Sequence, residues 1–431
     1  MNTLFILFVF PLLIIFSYFF DAFARKTKFP AVILLMVTGI LIRSIASAYG
    51  FESFALLNEL IPVLGTVGLI LIVLEGALEL DINREKLPLI LKGFLAAAVL
   101  LLANIVGLTL VFQKLLHLSY TSAVVYAIPL SIISSAVAIP SARGLLPNDK
   151  EFVVYESTFS DILGIMIFNY ALRQFEMGQN LLGMTSVINL GFQILGVILI
   201  SLLITYILFR LLQNIKHHVK FFLILALLIL VYAFGKLFHL PALVTIFIFG
   251  LFMSNVQSLL PSFLRRYLNL EETEKGLHEF HILTAESTFL VRTFFFLFFG
   301  FSISLSSFNS IEPILYGTLI FFVMLLLRYL YLLVSTFQLN TAPLVYMAPR
   351  GLISILLFLQ IDEISFPFTK SSWIDERTLL VVILLSMLVL ILGNNRPKKV
   401  NNLNLENEEL TAPTVDLSLE DSSETKDKTH E

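Results

Sequence analysis

Apolar runs of about 20 residues follow one another from residue 3 to residue 394, separated by short polar loops. Each run can cross a hydrocarbon layer about 30 Å thick as an α-helix. Lipid offers the backbone no hydrogen-bond partners, so a spanning segment of this length must satisfy itself as a helix. The runs lie near 3–21, 29–49, 59–80, 89–112, 120–141, 151–172, 185–212, 219–235, 240–256, 278–304, 310–336, 342–362 and 375–394. They predict an all-α polytopic membrane protein of about 13 transmembrane helices. Composition agrees, with 58% hydrophobic residues and a mean hydropathy of +0.91, against about 45–50% apolar residues in soluble chains. The first run lacks the basic leader of a secretory signal and is followed by further spans, so it reads as a retained helix.

Cytoplasmic loops carry excess Lys and Arg. An outside N-terminus gathers Arg25, Lys26, Lys28, Arg84, Lys86, Lys92, Arg143, Lys150, Arg210, Lys216, Lys220, Arg265, Arg266, Lys275, Arg396, Lys398 and Lys399 on the cytoplasmic side. The opposite side receives Lys114, Arg173, Lys236, Lys370 and Arg377. This asymmetry predicts an outside N-terminus, a cytoplasmic C-terminus and an odd number of spans. One helix plus two six-helix halves of opposite orientation fits that count, the inverted-repeat plan of many secondary transporters. Residues 1–394 form the expected transmembrane domain. Residues 395–431 turn polar and acidic with few large apolar groups, and read as a disordered cytoplasmic tail. The expected location is a bacterial inner (plasma) membrane.

Several function classes drop out. The chain has no cysteine, which removes disulfides, thiolate metal sites and thiol catalysis. No phosphate loop or dinucleotide fingerprint appears, which argues against an ATP-driven pump or a nucleotide-sensing domain. No cofactor, metal site or nucleic-acid partner is expected. A membrane enzyme would need a nucleophile with its base, or paired ligands, at membrane depth, and no such set is visible.

Asp161 lies within Glu156-Ser157-Thr158-Phe159-Ser160-Asp161-Ile162-Leu163-Gly164-Ile165-Met166-Ile167-Phe168. An ionisable side chain inside a spanning segment is a functional candidate by default. Burying it bare costs several kcal/mol, so it must be paired, protonated or bound to a cation. A carrier that trades protons for cations needs a group with those options; a salt bridge to another helix is the structural alternative. Ser157 and Asp161 share a helix face, whereas Glu156 lies about 140° round from Asp161, free to pair elsewhere.

Two spans contain sequences that fit a continuous helix poorly. In the fifth, Ser131-Ile132-Ile133-Ser134-Ser135-Ala136-Val137-Ala138-Ile139-Pro140-Ser141 mixes small, β-branched and proline residues. Pro140 removes a donor and disfavours α geometry at Ile139, so the span is either interrupted there, with carbonyls and the Ser134 and Ser135 hydroxyls offered to a cation, or a kinked helix with back-bonded serines. In the twelfth, Ala348-Pro349-Arg350-Gly351 places proline, charge and glycine in succession. If that span is broken, Arg350 would compensate the negative end of a half-helix. The two positions are equivalent in a one-plus-six-plus-six chain.

Taken in order, these segments resemble the monovalent cation/proton antiporter superfamily, in its sodium/proton exchanger branch, over most of residues 28–394. The family's Glu-Ser-x-x-Asn-Asp motif is matched by Glu156, Ser157, Ser160 and Asp161, and its Gly-Gly-Leu-Arg-Gly segment by Ala348-Pro349-Arg350-Gly351. Val73-Leu74-Glu75-Gly76-Ala77-Leu78-Glu79-Leu80-Asp81 and Val291-Arg292-Thr293-Phe294-Phe295-Phe296 are similar to further stretches. Two departures stand out. The family's Thr-Asp-Pro on its first broken helix is Ser134-Ser135-Ala136 here, without carboxylate or proline, and its Asn before the Asp is Ser160. The resemblance implies two broken helices crossing, the fifth and twelfth, an ion pair between Glu156 and Arg328, and an elevator-like motion in a homodimer. It implies exchange of a monovalent cation, Na⁺ first, for H⁺. Competition at Asp161, with Ser157, Ser160, Ser134 and Ser135 as further site residues, and one carrier carboxylate predict electroneutral one-for-one exchange. K⁺/H⁺ antiport, or a cation channel using the same carboxylate, is the alternative.

The remaining polar residues carry blander expectations. Glu75 and the Glu286/Arg292 pair read as ion pairs between helices, Arg43 as reaching the outer interface, and Asn169 as interhelical glue. His278 and His281 are three apart, whereas the zinc motif places its histidines at i and i+4. These two, like His217 and His218, read as solvated helix ends, with pH sensing the sharper alternative.

Overall fold

Proline and serine set several helix starts. Ser119 caps one helix by accepting a hydrogen bond from the Ser122 N–H at 3.3 Å, and proline stands in the first turn of three others, where its missing donor is not needed. A computed structural model describes residues 3–27, 30–49, 55–80, 82–83, 85–178, 195–196, 198–209, 221–237, 242–256, 270–303, 310–335, 341–361 and 373–394. Outside them lie the 395–431 tail, His217, His218, Asp81 and many of the loop charges, among them Lys28, Arg84, Arg210, Lys216, Lys220, Arg265, Arg266 and Lys370.

The described chain is all-helical: α1 (Thr3–Thr27), α2 (Ala31–Ala48), α3 (Ala55–Leu78), α4 (Leu87–Leu115), α5 (Tyr120–Ser131), α6 (Ser135–Ser141), α7 (Pro147–Glu176), α8 (Ile198–Phe209), α9 (Phe221–Leu237), α10 (Ala242–Ser254), α11 (Leu270–Ser302), α12 (Glu312–Val334), α13 (Thr341–Leu344), α14 (Leu352–Ile361) and α15 (Glu376–Asn394). Six helical stretches among the described residues are long and apolar enough to cross a membrane. Each of the expected spans overlaps a described helix.

Packing relies on small residues, because lipid supplies no hydrophobic drive between helices. A Cβ on Gly39 would strike the Leu297 carbonyl, and one on Gly300 would strike the Met36 carbonyl, so α2 and α11 touch backbone to backbone. Helix α7 packs against α4, α5 and α6. In the most apolar 18-residue window of Tyr120–Ser141, 94% of the residues are buried, against 44% in that of Leu87–Leu115. That difference decides where irregular backbone is tolerated, since non-helical chain at membrane depth survives only inside protein or along a cavity.

The fifth span stops at Ser131, runs extended through Ile132 and Ser134, and resumes at Ser135. Pro140 does not cause this stop. It lies inside α6, six residues beyond Ser134, and its effect is felt at another carbonyl. In the twelfth span, helix ends at Leu344 and begins again at Leu352.

Candidate functional site

Breaking a buried helix frees N–H groups, and each needs a partner. Three consecutive donors at the first interruption are taken by acceptors on two other segments of the chain. The Ile133 N–H donates to Ser160 Oγ at 3.0 Å, the Ser134 N–H to the Pro349 carbonyl at 2.9 Å, and the Ser135 N–H to Asp161 Oδ2 at 3.1 Å. The first and third acceptors are neighbouring residues of α7, and the second bond ties the two interruptions directly. Close approach is built into the sequence. Gly164 leaves room for Ile132, and a Cβ on Gly351 would lie 2.5 Å from Ser134 Oγ.

Asp161 is 2% exposed, and its second oxygen, Oδ1, has no hydrogen-bond partner among the described residues. The hydroxyls of Ser134, Thr158 and Ser354 are likewise buried without a partner. Thr158 lies three residues before Asp161 on α7, and Ser354 in the first turn of α14. Ser157 is spoken for as a donor, since its hydroxyl bonds back to the Val153 carbonyl at 2.7 Å; its lone pairs remain. Ser160 is turned toward the interruption, accepting from Ile133, and Ser135 contributes its backbone N–H.

Glu156 points elsewhere. Arg328 grips it with two parallel bonds, Nη1 to Oε1 at 2.6 Å and Nη2 to Oε2 at 2.9 Å, and both side chains are buried. The same guanidinium donates from Nε to the Leu344 carbonyl at 2.8 Å and from Nη2 to the Met347 carbonyl at 3.3 Å. Arg328 therefore compensates the carbonyl end of α13, the task the sequence had pointed to Arg350. The Arg350 guanidinium meets Met324 Sδ at 3.3 Å, while its backbone N–H donates to Ser386 Oγ. Position decides this: Arg328 approaches from α12 on the side where the carbonyls of Leu344 and Met347 emerge.

Arg292 holds a carbonyl rather than a carboxylate. Pro140 has no N–H for the Ala136 carbonyl four residues earlier, and Arg292 Nη1 donates to that oxygen at 3.1 Å. Glu286 is exposed, and the ion pairs among the described residues do not include one between it and Arg292. Asn169 is also exposed rather than set between helices. The Arg43 guanidinium lies 5.6 Å over the Phe301 ring, Glu75 is half-buried on α3, and His278 is exposed. His281 lines a chamber of about 470 Å³ with Glu79, Lys86, Glu151, Lys150, Ile139 and Tyr155. Among the described residues no cluster of three His, Asp or Glu could hold a metal ion.

The roles of Thr158, Ser354, Ser386 and Arg292 were missed in the sequence. A signal existed for Arg292, because Pro140 announces an unbonded carbonyl at Ala136.

The pattern of the transmembrane sodium/hydrogen exchanger family matches residues 11–393. The chain belongs to that family. This exchanger is therefore an integral membrane transporter of the cation/proton antiporter class, not an enzyme. Its fold resembles that of the sodium proton antiporter MjNhaP1 from Methanocaldococcus jannaschii at pH 8, with a TM-score of 0.67 and 20% identity, covering 91% of this chain and 96% of that one. An electron-microscopy map of the same antiporter gives 0.66 and 21%, covering 92% and 100%. No curated protein matches the chain.

Proposed function

We propose that this exchanger moves Na⁺ against H⁺, one for one, by competition at Asp161. The observation that carries the reading is the unpartnered Oδ1 of a carboxylate that is 2% exposed. A buried carboxylate left bare is costly, whereas a proton or a desolvated cation on Oδ1 removes the charge. Hard cations take oxygen ligands, and the unpartnered hydroxyls of Ser134, Thr158 and Ser354, with the lone pairs of Ser157, supply them. Glu156 is neutralised by Arg328, so the site has a single carrier charge. Ser160 adds no second one, which supports an electroneutral cycle.

In this reading the loaded carboxylate crosses and the empty one does not. The two interruptions form the crossing of fifth and twelfth helices in an inverted repeat of six-helix halves. Helix α7 and both interruptions move together against the rest, in elevator fashion, within a homodimer in a bacterial inner membrane. The 470 Å³ chamber is the cytoplasmic entrance, consistent with Lys86 and Lys150 on its rim and a cytoplasmic C-terminus.

Proteoliposomes with an imposed pH gradient test this. Addition of Na⁺, Li⁺ or K⁺ in turn should dissipate the gradient in wild type, Na⁺ at the lowest concentration, and not in Asp161→Asn. Cation-dependent proton movement retained by Asp161→Asn sinks the site. A membrane potential generated by transport sinks the one-for-one stoichiometry, and flux without proton coupling would make the protein a channel.

A further inference from the structure

A second, smaller chamber lies between α12, the Tyr346–Gly351 segment and α15. Its volume is about 20 Å³, and its walls include Arg328, Tyr346, Arg350, Ser386, Met324 and Val389 but not Asp161. Arg350 is 2% exposed. Its Nη2 faces the Met324 sulfur, a weak acceptor, and Nε and Nη1 have no hydrogen-bond partner among the described residues. Arg328 already spends its charge on Glu156. The walls and their neighbour thus hold two guanidiniums against one carboxylate, leaving one positive charge in excess. Nearby neutral groups are committed as well: Ser386 Oγ accepts from the Arg350 N–H and donates to the Ile383 carbonyl.

An uncompensated buried charge is strongly unfavourable, and a guanidinium is not relieved of its proton. Among the described residues the chamber walls carry no carboxylate, so its counter-charge falls to an occupant. Size limits its identity. A single water needs about 10–15 Å³, so the chamber admits one water-sized occupant and excludes carboxylates and phosphate. The apolar remainder of the wall suits a weakly hydrated ion. We propose that this chamber binds one small halide, chloride under ordinary conditions, held by Arg350 Nε and Nη1 as the counter-charge of the second interruption. Halide would then be a structural ligand of the exchanger, separate from the transported cation.

The test uses the full chain in detergent at fixed sodium and ionic strength, with gluconate exchanged for chloride or bromide during thermal unfolding. Occupancy should raise the folded-to-unfolded ratio about elevenfold at a halide concentration ten times Kd, and gluconate, too large for the chamber, should not. Arg350→Met removes the charge and Val389→Phe fills the space, so both should lose the halide response. Crystals grown in bromide should show an anomalous peak within hydrogen-bond distance of Arg350. A wild type indifferent to halide, with no bromide peak, means water alone occupies the chamber and overturns the proposal. An equal halide response in wild type and Arg350→Met means a general salt effect and overturns it too. If neither variant folds, the bromide peak in wild type decides.

Discussion

Replacing Arg328 by Met removes four hydrogen bonds from one buried point. Two go to Glu156 at 2.6 and 2.9 Å, one to Leu344 at 2.8 Å and one, longer, to Met347 at 3.3 Å. Removing one partner of a buried ion pair costs about 3–5 kcal/mol, because the other charge stays buried and uncompensated. An orphaned buried carbonyl adds about 1–3 kcal/mol. With two carbonyls orphaned, Arg328→Met should therefore cost at least about 5 kcal/mol, comparable to the whole stability of many domains. Glu156→Gln should fall at the low end of the ion-pair range, about 3 kcal/mol, since the guanidinium stays charged and buried but keeps both carbonyls and one amide oxygen. The double variant decides between a charge and a packing account. If the carboxylate is what makes Arg328→Met severe, Glu156→Gln in that background should restore about 2–3 kcal/mol. The cycle is read by thermal unfolding in detergent, with proteoliposome transport measured in parallel. A double variant no more stable than Arg328→Met alone would refute the reasoning, because the lost contacts and not the bare charge would then set the cost.

Three other substitutions probe the interruptions. Ser160→Ala leaves the Ile133 N–H without its acceptor and should cost about 1–3 kcal/mol; unfolding unchanged against wild type would show that the bond is not needed. Gly351→Ala places a Cβ 2.5 Å from Ser134 Oγ, so it should lower both stability and transport, with stability returning in Gly351→Ala/Ser134→Gly; failure of the second change to help would point away from that contact. Arg292→Met should destabilise by about 1–3 kcal/mol through the Ala136 carbonyl. Adding Pro140→Ala, which supplies the missing N–H, should recover most of that loss, and no recovery would mean that Arg292 matters for some other reason.

Hydropathy made the spans readable because lipid imposes one rule on every one of them. The Glu156–Arg328 contact and the placement of Asp161 beside Ser135 also lay within reach, because so few ionisable residues occur at that depth. The site of the first interruption did not. Pro140 marks a lost donor, yet where the helix stops is set by who accepts the freed donors. Those acceptors, Ser160, Asp161 and the Pro349 carbonyl, lie far along the chain or on another helix. Arg350 misled for the same reason: its neighbours in sequence suggested a helix end, while the carbonyls there are reached by Arg328 from α12.

The two oxygens of Asp161 divide the labour of the proposed exchange. Oδ2 accepts from Ser135 and so holds the first residue of α6, while Oδ1 is the free valence for proton or cation. Loading Oδ1 withdraws charge from Oδ2 and weakens its grip on the Ser135 N–H, since hydrogen bonds to ionised acceptors are about twice as strong as neutral ones. The next donor, the Ser134 N–H, ties the same turn to Pro349. A change at Oδ1 therefore acts within two residues on the contact that joins both interruptions. Ser135 brings no charge of its own, so the proposed carrier carboxylate and the tie between the two interruptions meet in one turn at the start of α6. Substitution at Asp161 should accordingly loosen the first interruption as well as stop transport, and hydrogen exchange at the Ser135 amide in Asp161→Asn against wild type would measure that coupling directly.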